Sequence, residues 1–175
     1  MFDTGIDGFD AKKCKGLPLY EKTPWPNGDP RHPFVRFMKN YQQTMVKVGV
    51  YLQSLVAELF GLPATYFDEW LLPSKEEGQC SLSTLRLIHY PPRKKKDISE
   101  HCIVDGAVLS TPSHSDGGLF TFLSTFHYPG LQVLFRGEWL SVEPAPKHHI
   151  VNIGDMLQRM CGGLIKATKH RVVDL

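Results

Sequence analysis

Cysteine is scarce and scattered. The four thiols, Cys14, Cys80, Cys102 and Cys161, show no Cys-x-x-Cys spacing, and no basic, apolar leader precedes them, so reduced thiols in a cytoplasmic protein are expected rather than a disulfide framework. Long apolar runs are lacking as well. None approaches the roughly eighteen residues of a membrane span, and a soluble chain is expected. Nor is there an excess of one charge: 20 Lys and Arg stand against 18 Asp and Glu, and the net charge of +2 is too small to argue for a nucleic acid or an anionic membrane as partner. No Gly-rich phosphate loop and no Ser-His-Asp pattern can be assembled. What is present, 42% hydrophobic and 22% charged residues in 175, is the composition of a folded globular protein. A chain of this length buries roughly two-thirds of its unfolded surface. Nothing in the pattern specifies an oligomer.

The character of the chain changes near residue 78. Residues 1–28 are rich in Gly, Pro, Lys and Asp, with Trp25 between Pro24 and Pro26, and an irregular, extended lead-in is expected. Asp29-Pro30 reads as a helix start, a carboxylate cap followed by a residue whose missing N–H is not needed in the first turn. The stripe Phe34, Met38, Tyr41, Met45, Val48, Leu52, Leu55 and Leu59 then predicts a long helix, broadened by Val46, Val50, Tyr51, Val56 and Phe60 into a face suited to packing on a sheet. Gly61 and Pro63 end it. Residues 64–72 predict a short second helix and 73–78 a polar turn. On this reading 1–78 is a lead-in and helical support region, and 79–175 a β-rich core.

From Cys80 the period becomes two. Leu85, Leu87 and His89 fall on one strand face and Arg86, Ile88 and Tyr90 on the other, before Pro91-Pro92 stops the strand. The run Arg93-Lys94-Lys95-Lys96 reads as a solvated loop. Further strands are expected over 119–125, 130–135, 139–142, 149–153 and 165–174, with Arg136-Gly137-Glu138 as a hairpin turn. Many short strands after a helical lead predict an α+β, mainly β chain: an antiparallel sandwich or jelly roll with the long helix packed outside.

The chemistry concentrates in Ser113-His114-Ser115-Asp116-Gly117-Gly118. In an extended strand, positions i and i+2 share a face, so the His114 imidazole and the Asp116 carboxylate reach one point. Gly117-Gly118 is expected to give the backbone freedom beside them. A third nitrogen donor, for which His170 is the candidate, completes one face of an octahedron. Two histidines and one carboxylate bound facially leave open positions and are the ligand set of non-haem Fe(II) oxygenases. With eight His and 18 acidic residues, one His-x-Asp or His-x-Glu arises about once by chance, so the spacing alone is weak.

Five blocks supply the context. Leu85-Arg86-Leu87-Ile88-His89-Tyr90-Pro91-Pro92, His114-Ser115-Asp116-Gly117-Gly118, Gly130-Leu131-Gln132-Val133, Val151-Asn152-Ile153-Gly154-Asp155-Met156 and His170-Arg171-Val172 resemble, in order, the isopenicillin N synthase-like family of Fe(II)- and 2-oxoglutarate-dependent dioxygenases. The resemblance implies a double-stranded β-helix, with Fe(II) held by His114, Asp116 and His170. It also implies 2-oxoglutarate as chelating co-substrate, dioxygen as oxidant, and hydroxylation, desaturation or ring closure of a small organic substrate. Tyr90 matches the family's Tyr on the co-substrate carboxylate. The family's Arg-x-Ser, nine or ten residues after the distal His, would fall beyond Leu175. A last barrel strand is therefore expected to be missing, the strand before it to be left as an open edge, and co-substrate binding to suffer. A non-catalytic metal-binding fragment is the alternative, and a zinc hydrolase on the same ligands a third reading without a placed general base. His148-His149 point to opposite strand faces, while His89, His101 and His127 read as solvated or structural. Asp155 reads as a turn residue, and Arg86 as a strand ion pair or a group supporting the site.

Overall fold

The computed structural model describes residues 2–5, 23–25, 31–68 and 83–174. The chain forms two compact units, Met1–His89 and Tyr90–Leu175.

In the first unit, helix α1 spans Pro33–Leu59. It starts where Pro33 occupies the first turn and His32 Nδ1 accepts the Phe34 N–H at 3.2 Å. An imidazole thus caps it, while Asp29-Pro30 lies outside the described residues. The other end closes as the sequence predicts. Gly61, at φ 69°, donates to Glu58 O and Leu62 N donates to Ala57 O, both at 2.9 Å, which satisfies two of the last carbonyls of the helix. The buried face differs from the expected stripe: it is Val35, Met38, Gln42 and Ala57, whereas Val48, Leu55 and Leu59 are exposed. Gln42 is satisfied there, its side chain donating to Thr4 O at 3.3 Å. A polar residue can centre a packed face when its hydrogen bond is made there, and a stripe drawn from apolar residues alone misses it.

That partner lies in strand β1, Phe2–Gly5, which pairs antiparallel with β2, Thr84–Leu87. The expected irregular lead-in is thereby corrected for residues 2–5. Asp3 stands opposite Arg86, and the two form a bidentate pair at 2.8 Å for both bonds, so Arg86 is a cross-strand ion-pair residue. Around the expected second helix, Tyr66 N donates to Pro63 O and Asp68 N to Thr65 O. Residues 64–67 are turns, Asp68 is helical as the expected second helix requires, and 69–78 lie outside the described residues.

The second unit holds seven strands: β3 Ile103–Val104, β4 Ala107–His114, β5 Phe120–Leu123, β6 Leu131–Phe135, β7 Glu138–Ser141, β8 Ile150–Ile153 and β9 His170–Val173. All pairings are antiparallel. One sheet runs β3-β4-β9-β6-β7 and a two-stranded ribbon pairs β5 with β8. Two hairpins use two-residue turns in which both residues have positive φ, Asp105 (52°) with Gly106 (77°) and Arg136 (52°) with Gly137 (88°); such turns match the twist of the strands they join. The Arg136-Gly137 turn was legible, but β3 and the part of β4 before the His114 motif were not predicted, although Asp105-Gly106 is their signal.

Two expectations about the last strand are corrected. It begins only at His170, and it is no open edge, since β4 and β6 flank it. Its end is fastened by Asp174, which receives Arg93 Nε at 2.9 Å and Nη2 at 2.5 Å and also the Ser110 hydroxyl. Arg93 in turn donates to Leu109 O at 3.0 Å. The basic run is therefore not simply a solvated loop; its first residue ties the stretch before β3 to both β4 and β9. The buried apolar side chains of this unit are Leu109, Leu131, Leu157 and Cys161, beside the buried polar residues His170 and Arg171. Arg171 donates to Gln132 Oε1 at 2.8 Å, and its guanidinium lies 4.2 Å over the Trp139 ring.

Candidate metal centre

Pairing puts the two histidines together. His114 is the last residue of β4 and His170 the first of β9, and they are register partners, so their rings lie 4.3 Å apart between centroids. Between Leu109 and His114 the register slips twice against β9. Each slip leaves an extra residue on β4, and the second contains Pro112, a residue sheets accept at bulges because it has no N–H for the ladder. The same distortion brings Pro112 O within 2.9 Å of His114 Nδ1. Thr168 O stands 3.1 Å from His170 Nδ1. A carbonyl only accepts, so Nδ1 carries the hydrogen in both rings and Nε2 is left bare in the neutral form, ready to ligate. His148 makes the same local bond with Pro146 O at 3.0 Å, so the bond orients a ring but does not by itself mark a site.

Asp116 arrives by another route than expected. The strand ends at His114, and Asp116 lies beyond it. Its position is set by the turn leading from β8 into helix α2, Asp155–Met160: Asp155 N donates to Asp116 O at 2.7 Å, Met156 N to Gly118 O at 3.2 Å and Gly154 N to Leu119 O at 2.9 Å. Gly154 has to be glycine for space, since a Cβ there would sit 2.1 Å from Gly118 O. Gly117 and Gly118, by contrast, are not in the left-handed region, and a Cβ on either would meet nothing within 4 Å. The expected need for backbone freedom beside the ligands is replaced by close approach from the opposite turn. Asp155, read from sequence as a turn residue, is the first residue of α2, and its Oδ2 accepts the Ser115 hydroxyl at 3.1 Å.

The three side chains converge. Asp116 Oδ1 is 3.7 Å from His114 Nε2 and 3.6 Å from His170 Nε2, and one ligating atom from each residue lies within 4.8 Å of the other two. The His–Asp separations are too long for direct hydrogen bonds. A first-row ion with bonds near ~2.1 Å sets neighbouring ligand atoms about 3 Å apart, so a modest contraction closes the set around one. The donor chemistry also fits. One carboxylate and two imidazoles suit a borderline divalent metal and leave further positions open. The His114 side chain is 42% exposed against 7% for His170, so the site is anchored on one side and accessible on the other. Asn152, which the sequence reading did not single out, completes it: its amide donates to Asp116 Oδ2 at 3.1 Å and lies 3.5 Å from His170 Nε2. An amide in the middle of a short β-strand, where β-branched residues are favoured, was the available signal.

Tyr90 follows the end of β2, and its hydroxyl is 2.7 Å from Thr111 Oγ1 on β4, three residues before His114. His89, His101 and His127 are exposed and stand outside the cluster; among the described residues the cluster contains only His114, Asp116 and His170.

Comparison with known proteins gives a consistent picture. The model of the 2OG-Fe(II) oxygenase superfamily matches residues 81–175. The 2-oxoglutarate-dependent dioxygenase citB of Monascus ruber is 32% identical over 154 residues, which are 86% of this chain and 44% of the relative. Gibberellin 20 oxidase 2 of Arabidopsis thaliana is 31% identical over 140 residues, 80% of this chain and 33% of the relative. Among solved structures, a full-length Neurospora crassa protein in complex with alpha-KG and 5-formyluracil superposes with a TM-score of 0.75 at 26% identity, covering 98% of this chain and 50% of that one. These likenesses show the jelly-roll fold for the sheets described above. The chain spans less than half the length of these curated relatives.

Proposed function

The chain belongs to the 2OG-Fe(II) oxygenase superfamily, and from that premise we propose that it serves the Fe(II)- and 2-oxoglutarate-dependent oxidation of a small organic molecule, with His114, Asp116 and His170 as the iron ligands. The observation that carries this reading is the convergence of the three side chains within 4.8 Å. Both rings are already turned by carbonyl hydrogen bonds so that Nε2 faces Asp116. Bound Fe(II) supplies the oxidising chemistry with dioxygen and 2-oxoglutarate that no side chain can provide.

The protein's own contribution is placement. Single-point attachment by three residues leaves half an octahedron for exogenous ligands, and the carboxylate offsets one of the two metal charges. Residues 79–175 are the proposed catalytic core. Tyr90 is proposed to hold the 2-oxoglutarate carboxylate, a role supported by its hydroxyl being fixed by Thr111 on the strand that leads to His114. A cytoplasmic location is proposed on the scattered cysteines, of which Cys102 and Cys161 are free thiols. Among the described residues no helix is long and apolar enough to cross a membrane.

The test is oxygen-dependent formation of succinate from 2-oxoglutarate by the iron-loaded chain, with Asp116→Ala as control. Succinate from the wild type and none from the variant is expected. Equal succinate from both would contradict the assignment.

A further inference from the structure

We infer that Asn152 is a positioning residue that holds Asp116 to a single ligating oxygen, an inference that rests on the metal-site reading above and deepens it. The two oxygens of Asp116 have different surroundings. Oδ1 is the atom that stands 3.6 and 3.7 Å from the two imidazole Nε2 atoms, whereas Oδ2 accepts the Asn152 amide at 3.1 Å. Because a carboxylate oxygen only accepts, the nitrogen end of Asn152 has to be the end that faces it.

Geometry makes the arrangement selective. Asn152 lies on β8 opposite Thr121 of β5, while Asp116 lies past the end of β4, so the amide comes from outside the strand pair that carries the histidines. Its neighbour Val151 is exposed, and the strand's alternation turns the Asn152 side chain inward. Two residues further on, the turn from Gly154 to Met156 grips the backbone of Asp116, Gly118 and Leu119. One short segment therefore fixes both the main chain and the carboxylate plane of Asp116. A carboxylate with both oxygens free can chelate and occupy two metal positions; with one oxygen held by an amide it takes one. Asn152 thereby keeps a third position free for exogenous ligands.

The experiment is an anaerobic Co(II) titration of the full chain at neutral pH, following affinity and the ligand-field absorption, in a double-mutant cycle of Asn152→Leu with Asp116→Ala. Leucine keeps the approximate shape of Asn without its donor; Asn152→Ala takes its place in the cycle if the leucine variant does not fold. The expected result is a 10- to 100-fold loss of Co(II) affinity on Asn152→Leu, with a changed absorption spectrum. In the Asp116→Ala background the same change should cost less than about twofold, because residues acting through one another are not additive. An equal loss in both backgrounds, or wild-type affinity and spectrum in Asn152→Leu, would overturn the inference while leaving the metal site standing. Failure of the wild-type chain to bind Co(II) at all would overturn the metal-site reading and this inference together.

Discussion

Gly154 shows how a residue with no functional group governs the site. Its hydrogen sits where any Cβ would meet Gly118 O at 2.1 Å and Asp116 O at 3.1 Å, and both obstacles are backbone, which cannot swing aside. Gly154→Ala is expected to push the β8–α2 turn off the Asp116 loop and lower metal affinity by tenfold or more. Gly117→Ala, which has open space, is expected to stay within about twofold. Metal titration of the pair checks this; equal effects would mean that the turn does not position Asp116. Tyr90→Phe removes a hydroxyl that Thr111 holds at 2.7 Å. If Tyr90 binds the co-substrate, the variant should need roughly 10- to 150-fold more 2-oxoglutarate, the worth of a hydrogen bond to a charged group at about 1.5–3 kcal/mol, with iron affinity unchanged. The residues of the cluster were legible in the sequence because a His-x-Asp and a distant His sit in ordered family blocks. Asn152 was not, because a single amide in a strand carries no spacing pattern of its own.

At the level of elements, β9 matters most. It carries His170 and is bonded on both sides, by β4 and β6. Leu131, at its β6 neighbour, is 4% exposed and faces Val172 in register. Leu131→Ala should cost about 2–4 kcal/mol of stability, the usual range for emptying a packed leucine site; chemical denaturation would measure it, and a loss under about 1 kcal/mol would show that this part of the sheet is loosely packed. The end of β9 depends on pH through Asp174. The Ser110 hydroxyl and then Arg93 hold its carboxyl below an aspartate's ordinary 3.8. A lowered carboxyl favours the folded state when ionised, so its contribution is complete above about pH 4 and fades as acid titrates the folded form. Asp174→Asn should therefore be less stable than wild type at neutral pH, with the gap closing as acid protonates the folded-state carboxyl; a gap independent of pH would show that packing rather than charge is lost. Strand positions in 119–153 were readable from alternation and turn residues. The start of β9 and the end of β4 were not, because bulges and Pro112 interrupt the period on which such reading depends.

On the scale of the whole molecule, family and fold were legible because five sequence blocks stand in the family's order, and the comparisons place 81–175 in the superfamily. The burial of Gln42 in α1 was missed because its partner is Thr4, and the β1–β2 pairing because residues 2–5 and 84–87 are far apart in sequence. Long-range partners leave no local period to detect. The central claim is that one Fe(II) binds this chain through three side chains brought together by β4, β9 and the β8–α2 turn. The most direct measurement is anaerobic equilibrium binding of Fe(II), with bound metal counted per chain, on wild type and on His170→Ala, the replacement of the most buried ligand. The account predicts one ion per wild-type chain and loss of stoichiometric binding in the variant; metal content equal to wild type in His170→Ala would contradict it.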